Sequence, residues 1–107
     1  MKNPSDKSFT VQWRKQENQV TYYLTGILDE QGGRVLWEKT EKNLGESESF
    51  EFNLCDVRLI SSAGIGVLAA LADWLKTQGK SLKLTNPSAP VMRVLQLVHL
   101  DKLALIE

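Results

Sequence analysis

The chain has 107 residues, 42% of them hydrophobic and 24% charged, which is the size and balance of one globular domain around one core. Thirteen basic and thirteen acidic side chains cancel, and no basic run stands out to neutralise a phosphate backbone, so nucleic acid is excluded as the expected partner. One cysteine (Cys55) and one histidine (His99) exclude an internal disulfide, a cysteine-based zinc cluster and a His-rich metal site, and no apolar stretch approaches the roughly 18 residues that span a bilayer.

In chain order, residues 1–8 read as a polar, flexible tail without the apolar segment of a secretory signal, and 9–107 as the folded domain. A cytoplasmic, bacterial-style protein is the simplest expectation. Phe9, Val11 and Trp13 alternate with polar residues, the period of a half-buried strand. Gln16-Glu17-Asn18 reads as a turn, and Val20 to Thr25 as a second strand, closing a hairpin and ended by Gly26. Gln31 to Leu44 predicts a helix with Gly45 at its stop. Phe50, Phe52 and Leu54 alternate into a third strand ending near Asp56. Ser62 to Lys76 predicts a second helix closed by Gly79, and Ser81 to Thr85 a fourth strand broken by Asn86-Pro87. Pro90 to Val98 predicts a third helix with proline in its first turn. Leu103 to Ile106 is a short strand or a helix end.

The order ββαβαβα implies crossover helices and an α/β domain with a mixed, mostly parallel sheet of about four to five strands flanked by three to four helices. Sites on such sheets sit beyond the carboxyl ends of strands, where helices begin. The junction between the third strand and second helix therefore takes precedence.

That junction places Ser61 and Ser62 before Gly64 and Gly66 at the mouth of an apolar helix. Ser62 stands where an N-cap belongs, and local pattern alone favours simple capping. The unpaired amides and positive dipole end there also tolerate an anion, including a phosphate on the serine itself. Gly64 and Gly66 lack side chains, which would let another backbone or a phosphate come close. Ile65, Leu68, Leu71, Ala72 and Leu75 form a stripe suited to face the sheet. Val67, Ala70 and Trp74 lie off it, and two readings of Trp74 stand even: an exposed docking residue, or one covered by another helix.

The run Leu59-Ile60-Ser61-Ser62-Ala63-Gly64-Ile65-Gly66-Val67-Leu68 resembles the signature of STAS domains. Leu24-Thr25-Gly26-Ile27-Leu28-Asp29 is similar to that family's Leu-x-Gly-x-Leu-Asp segment. Leu82 to Ser88, Val91 to Leu95 and Leu100-Asp101 resemble its last strand and third helix, so the likeness covers roughly residues 9–107. The resemblance implies an anti-sigma factor antagonist. Such a protein binds an anti-sigma factor that is also a serine kinase, is released when phosphorylated, and is restored by a serine phosphatase. The phosphoacceptor position falls on Ser62, with Ser61, Ala63, Gly64, Ile65, Gly66, Val67, Trp74 and Asp29 as its switch and interface neighbours. Asp29 has an ordinary capping role as its alternative. Two positions depart from the family pattern: Ser61 replaces the usual Asp before the acceptor, and Asn53 replaces an Asp at the end of the third strand.

Other readings carry less. Gly64-Ile65-Gly66-Val67-Leu68-Ala69 fits G-x-G-x-x-A, but the acidic residue needed about 20 positions on is absent, Asn86 standing there. A serine hydrolase lacks a base for Ser62, since His99 falls at the end of the last helix, where it suits the dipole. Cys55 reads as a small buried hydrophobe, and Trp13 and Trp37 as core or edge packing. No cofactor and no catalytic residue are expected. The rival comes from within the family, a STAS subunit that binds the ATPase of a bacterial lipid-transport ABC system. Leu36-Trp37-Glu38 and the missing Asp at Ser61 resemble that group.

Overall fold

The computed structural model describes residues 9–107; the tail expected over 1–8 lies outside them. The strands are β1 (Thr10–Gln16), β2 (Gln19–Leu28), β3 (Ser49–Ile60), β4 (Ser81–Thr85) and β5 (Leu105–Ile106). The helices are α1 (Glu30–Asn43), α2 (Ser62–Thr77) and α3 (Ala89–Leu97), with 3-10 turns at Leu44–Glu46 and Leu100–Lys102. No helix among the described residues is long and apolar enough to cross a membrane.

All five strands form one sheet in the order β1-β2-β3-β4-β5. β1 pairs antiparallel with β2 across a turn at Glu17 and Asn18, with Glu17 at φ 56; every later pairing is parallel and is reached through a helix. The β2 burial pattern alternates strictly, with Val20, Tyr22, Leu24 and Leu28 in the core and Tyr23 and Thr25 exposed on the other face. Phe50, Phe52 and Leu54 continue that inner layer on β3 and Leu82 and Leu84 on β4. The helices cover it with Leu36, Leu68, Leu71, Leu75, Val91 and Leu95. Each of these fully buried side chains contributes about 1.5–3 kcal/mol of transfer free energy.

Three boundaries differ from the sequence expectation. β2 does not end at Gly26 but passes through it at φ 103, a conformation glycine adopts without penalty, and continues to Leu28. β3 does not stop near Asp56 but reaches Ile60. The extra length carries two register shifts against β2, between the pairs Tyr23↔Asn53 and Thr25↔Asp56, and between Gly26↔Val57 and Ile27↔Leu59. At each, β3 has one residue more than its partner, so Cys55-Asp56 and Arg58-Leu59 are consecutive exposed pairs between buried Leu54, Val57 and Ile60. Such bulges bend a strand and redirect its downstream end, here into the start of α2. Finally, Gly45 does not form a left-handed cap on α1; it lies in the 3-10 turn that Leu44 begins.

The carboxyl end of α2 and the start of α3 are built as their sequences imply. Gly79 at φ 74 closes α2, the Lys80 N–H bonding Leu75 O at 2.9 Å and the Gly79 N–H bonding Lys76 O at 3.0 Å, the paired bonds of a Schellman motif. Ser88 caps α3 and Pro90 sits in its first turn. His99 stands one residue beyond the Val98 cap of α3, in the left-handed region at φ 59.

Candidate functional site

The carboxyl ends of β2 and β3 lie side by side, with Leu28 opposite Ile60, and each strand turns directly into a helix. α1 and α2 therefore start together beyond the carboxyl ends of these two inner strands. Asp29 caps α1, accepting the Gly32 N–H at 2.8 Å. Ser61 caps α2, accepting the Gly64 N–H at 3.0 Å. The two starts are tied by the Ser61 N–H, which bonds Leu28 O at 3.0 Å.

This corrects the expected cap. Ser62 is the first helical residue, exposed, and Ser61 before it is half-buried and supplies the capping oxygen. The reason is tertiary: the bond from Ser61 to Leu28 fixes Ser61 in extended conformation at ψ 168, and the helix begins one residue later. Four amides at a helix start lack intrahelical partners. Here Leu28 O takes that of Ser61 and Ser61 Oγ takes that of Gly64, leaving those of Ser62 and Ala63. α2 has no acidic residue in its own first turn; the nearby carboxylate is that of Asp29, which is engaged in capping α1.

The two glycines serve different ends. A Cβ on Gly64 would meet Leu28 O at 2.0 Å and Asp29 Cα at 3.2 Å. The close approach that its small size allows is thus made by this chain's own β2–α1 junction, not by a partner or a phosphate. That contact also places Asp29 beside the start of α2. Gly66 is exposed, with nothing within 4 Å of an added Cβ. Ala63, Gly66 and Ala70 are exposed along α2, and Ser62 stands at the head of this shallow surface.

The remaining neighbours divide between core and rim. Leu68, Leu71, Ala72 and Leu75 are buried as the stripe predicts, and Ile65 is half-buried against them. Val67 is half-buried and packs on α1, where a Cβ on Gly33 would come within 2.6 Å of its Cγ1. Trp74 is covered by a helix: its ring stacks on Trp37 of α1 at 5.2 Å between centroids and 25° between planes. Its large apolar surface serves the α1–α2 contact and is largely withdrawn from docking. Trp13, in contrast, is 49% exposed on the edge strand β1. Cys55 is exposed, not buried, because it follows Leu54 at the first bulge and points to the opposite face. Asn53 accepts the Cys55 N–H at 3.0 Å and so holds that bulge.

Tyr22 anchors α1 to the sheet from beneath. Its hydroxyl donates to Lys39 O at 3.0 Å and accepts from Asn43 Nδ2 at 2.8 Å, while burial raises its pKa above the ordinary value. Sequence reasoning missed this pair; the signal was a buried-strand tyrosine and a helix-end asparagine, each needing a polar partner. Among the described residues no group of three or more His, Cys, Asp or Glu could hold a metal ion.

With this geometry in place, known proteins offer a comparison. A family model described as "Mlab, STAS domain" matches residues 11–107. The anti-sigma-B factor antagonist of Bacillus subtilis (strain 168) is 29% identical over 93 residues, covering 87% of this chain and 85% of the relative. The anti-sigma factor antagonist SpoIIAA in its unphosphorylated form has a TM-score of 0.76 at 20% identity, over 92% of this chain and 88% of that one. The phosphorylated form of the Bacillus cell-fate determinant SpoIIAA has a TM-score of 0.72, also at 20% identity, over 92% of this chain and 91% of that one.

Proposed function

This chain belongs to the STAS domain family, and we propose that within it the chain acts as an anti-sigma factor antagonist that binds an anti-sigma factor/serine kinase and is switched off by phosphorylation of Ser62. The single observation that carries the reading is the division of labour between the two serines. Ser61 spends its hydroxyl on the Gly64 amide, and Ser62 is exposed at the first turn of α2 with the cap already made. The residue free to be modified is thus the one that the fold does not need.

Added charge drives the switch. A phosphoserine adds about −1.5 to −2 charges at neutral pH, and burying it in an interface shaped for a hydroxyl beside Ala63 and Gly66 is costly. In the free domain the same phosphate faces the positive end of α2, whose own first turn carries no acidic residue, and is tolerated. Phosphorylation therefore changes binding and leaves the fold intact, and a serine phosphatase resets it. In support, the Bacillus relative is by name an antagonist of this kind, and both phosphorylation forms of SpoIIAA share the fold. The role is binding rather than catalysis, it needs no cofactor, and the cytoplasm is where such partners meet.

A second reading, a STAS subunit on the ATPase of a lipid-transport ABC system, is favoured by Ser61 at the position of the family's usual Asp. Affinity purification of the full chain from its native host separates the two. Recovery of an anti-sigma factor by the wild type, lost with Ser62→Glu, supports the antagonist. Recovery of a transporter ATPase by both forms, with no anti-sigma factor, replaces it by the second reading.

A further inference from the structure

At the other end of α2, three lysines from three separate segments line one surface groove of about 340 Å³. Lys76 comes from the last turn of α2, Lys80 from the turn into β4, and Lys102 from the 3-10 turn before β5. Leu103 and Leu105 supply apolar lining, Leu105 59% exposed at the rim, while Leu82 beside them belongs to the core. Among the described residues the ion pairs are Lys15–Glu46, Arg34–Glu30 and Lys83–Glu107, so none of the three groove lysines is paired. Asp101 is the one carboxylate in the lining. Three lysines against one aspartate make a local positive excess on a chain of zero formal charge.

The negative end of the α2 dipole accounts for Lys76 in its last turn. It does not account for Lys102, which arrives from a different segment. Nor does it account for the apolar lining between the cations. We propose that this groove docks an acidic, partly apolar segment of a partner protein. Charge complementarity selects the acidic residues, and Leu103 and Leu105 take the apolar ones. The groove lies open along the surface, whereas a site for a small molecule encloses most of its ligand. Beside it, among the described residues, β5 pairs with β4 alone and ends the sheet, the position at which a partner's strand can add. From Ser62 to Lys76 along α2 is about 21 Å at 1.5 Å per residue. A segment held here is therefore retained whatever the state of Ser62, and the proposal stands apart from the reading of that residue.

The test is titration of the full ¹⁵N-labelled chain with an end-capped peptide of alternating Glu and Leu, monitored by amide shifts. Parallel titrations use Gln-Leu and Lys-Leu peptides and inorganic phosphate. The Glu-Leu peptide is expected to saturate shifts at Lys80, Leu82, Lys102 and Leu105 and to leave Ser62 unmoved. The double variant Lys76→Glu/Lys102→Glu loses about tenfold or more in affinity for it and gains affinity for the Lys-Leu peptide, an exchange that a merely structural role would not produce. Equal binding of the Gln-Leu peptide, phosphate reproducing the same shifts, shifts centred on Ser62, or no saturation at millimolar peptide each overturns the proposal.

Discussion

The Ser61 hydroxyl oxygen accepts the Gly64 N–H at 3.0 Å, and this one bond makes Ser61 the structural serine and Ser62 the free one. Loss of an N-cap oxygen costs about 1 kcal/mol, within a range of roughly 0.5–2. Ser61→Ala is therefore expected to lower the urea midpoint accordingly. Ser62→Ala removes an exposed hydroxyl outside the cap and should stay within about 0.5 kcal/mol of wild type. Equilibrium denaturation of the two variants side by side checks the assignment; a larger loss for Ser62→Ala would exchange the roles.

Gly64 and Gly66, two residues apart, should respond in opposite directions. A Cβ on Gly64 collides with the backbone oxygen of Leu28 at 2.0 Å, which no side-chain rotation relieves. Gly64→Ala is expected to cost about 3 kcal/mol or more through overpacking. Gly66 has open space around it in a helix interior, so Gly66→Ala should stabilise the free domain by about 0.5–1 kcal/mol. Thermal melts of both read the contrast. Destabilisation by Gly66→Ala would show that this surface is not open.

Because α2 lacks an acidic residue in its own first turn and the carboxylate of nearby Asp29 is engaged in capping α1, a negative group at Ser62 meets the positive end of the α2 dipole. Ser62→Glu is expected to stabilise the isolated domain by about 0.3–1 kcal/mol at low ionic strength. The gain should shrink as salt is added. A loss of stability at every salt concentration would mean that phosphate disrupts the fold itself, contrary to a switch of binding alone.

Tyr22 sets an alkaline limit. Burial raises its pKa above 10.0, against the opposing pull of its bonds with Asn43 and Thr40. In the pH range above the unfolded value the unfolded chain releases this proton more readily than the folded one. The contribution is therefore complete below pH 10 and declines as pH rises through the folded value. Tyr22→Phe should flatten the alkaline fall in stability while costing about 1 kcal/mol at neutral pH, because Asn43 loses one of its two acceptors and Lys39 O loses a donor. Denaturation series at neutral and alkaline pH measure both effects; an unchanged alkaline slope would place the titration elsewhere.

Much of the architecture was legible because apolar periodicity is local. The strand alternation of Phe50, Phe52 and Leu54 and the helical stripe through Leu68, Leu71 and Leu75 both describe which face is buried, and both hold. Cys55 follows the same rule, an outward residue succeeding inward Leu54, although a cysteine by type favours burial. Other features depend on distant partners. Two adjacent serines have equal capping power, and only the bond from Ser61 to Leu28, 33 positions back in sequence, chooses between them. The extension of β3 to Ile60 depends on bulges against β2, and the cover over Trp74 on Trp37 in another helix. The site's position was readable from its motif, but the separate tasks of its two serines and two glycines were not.

The most direct measurement is phosphate mapping by peptide mass spectrometry on the chain purified from its native host, with Ser62→Ala as the control. The expected result is a single phosphate on the peptide containing both serines, localised to Ser62 and absent from Ser62→Ala. Phosphate on Ser61, or none under any growth condition while a transporter ATPase co-purifies, would contradict a switch at Ser62.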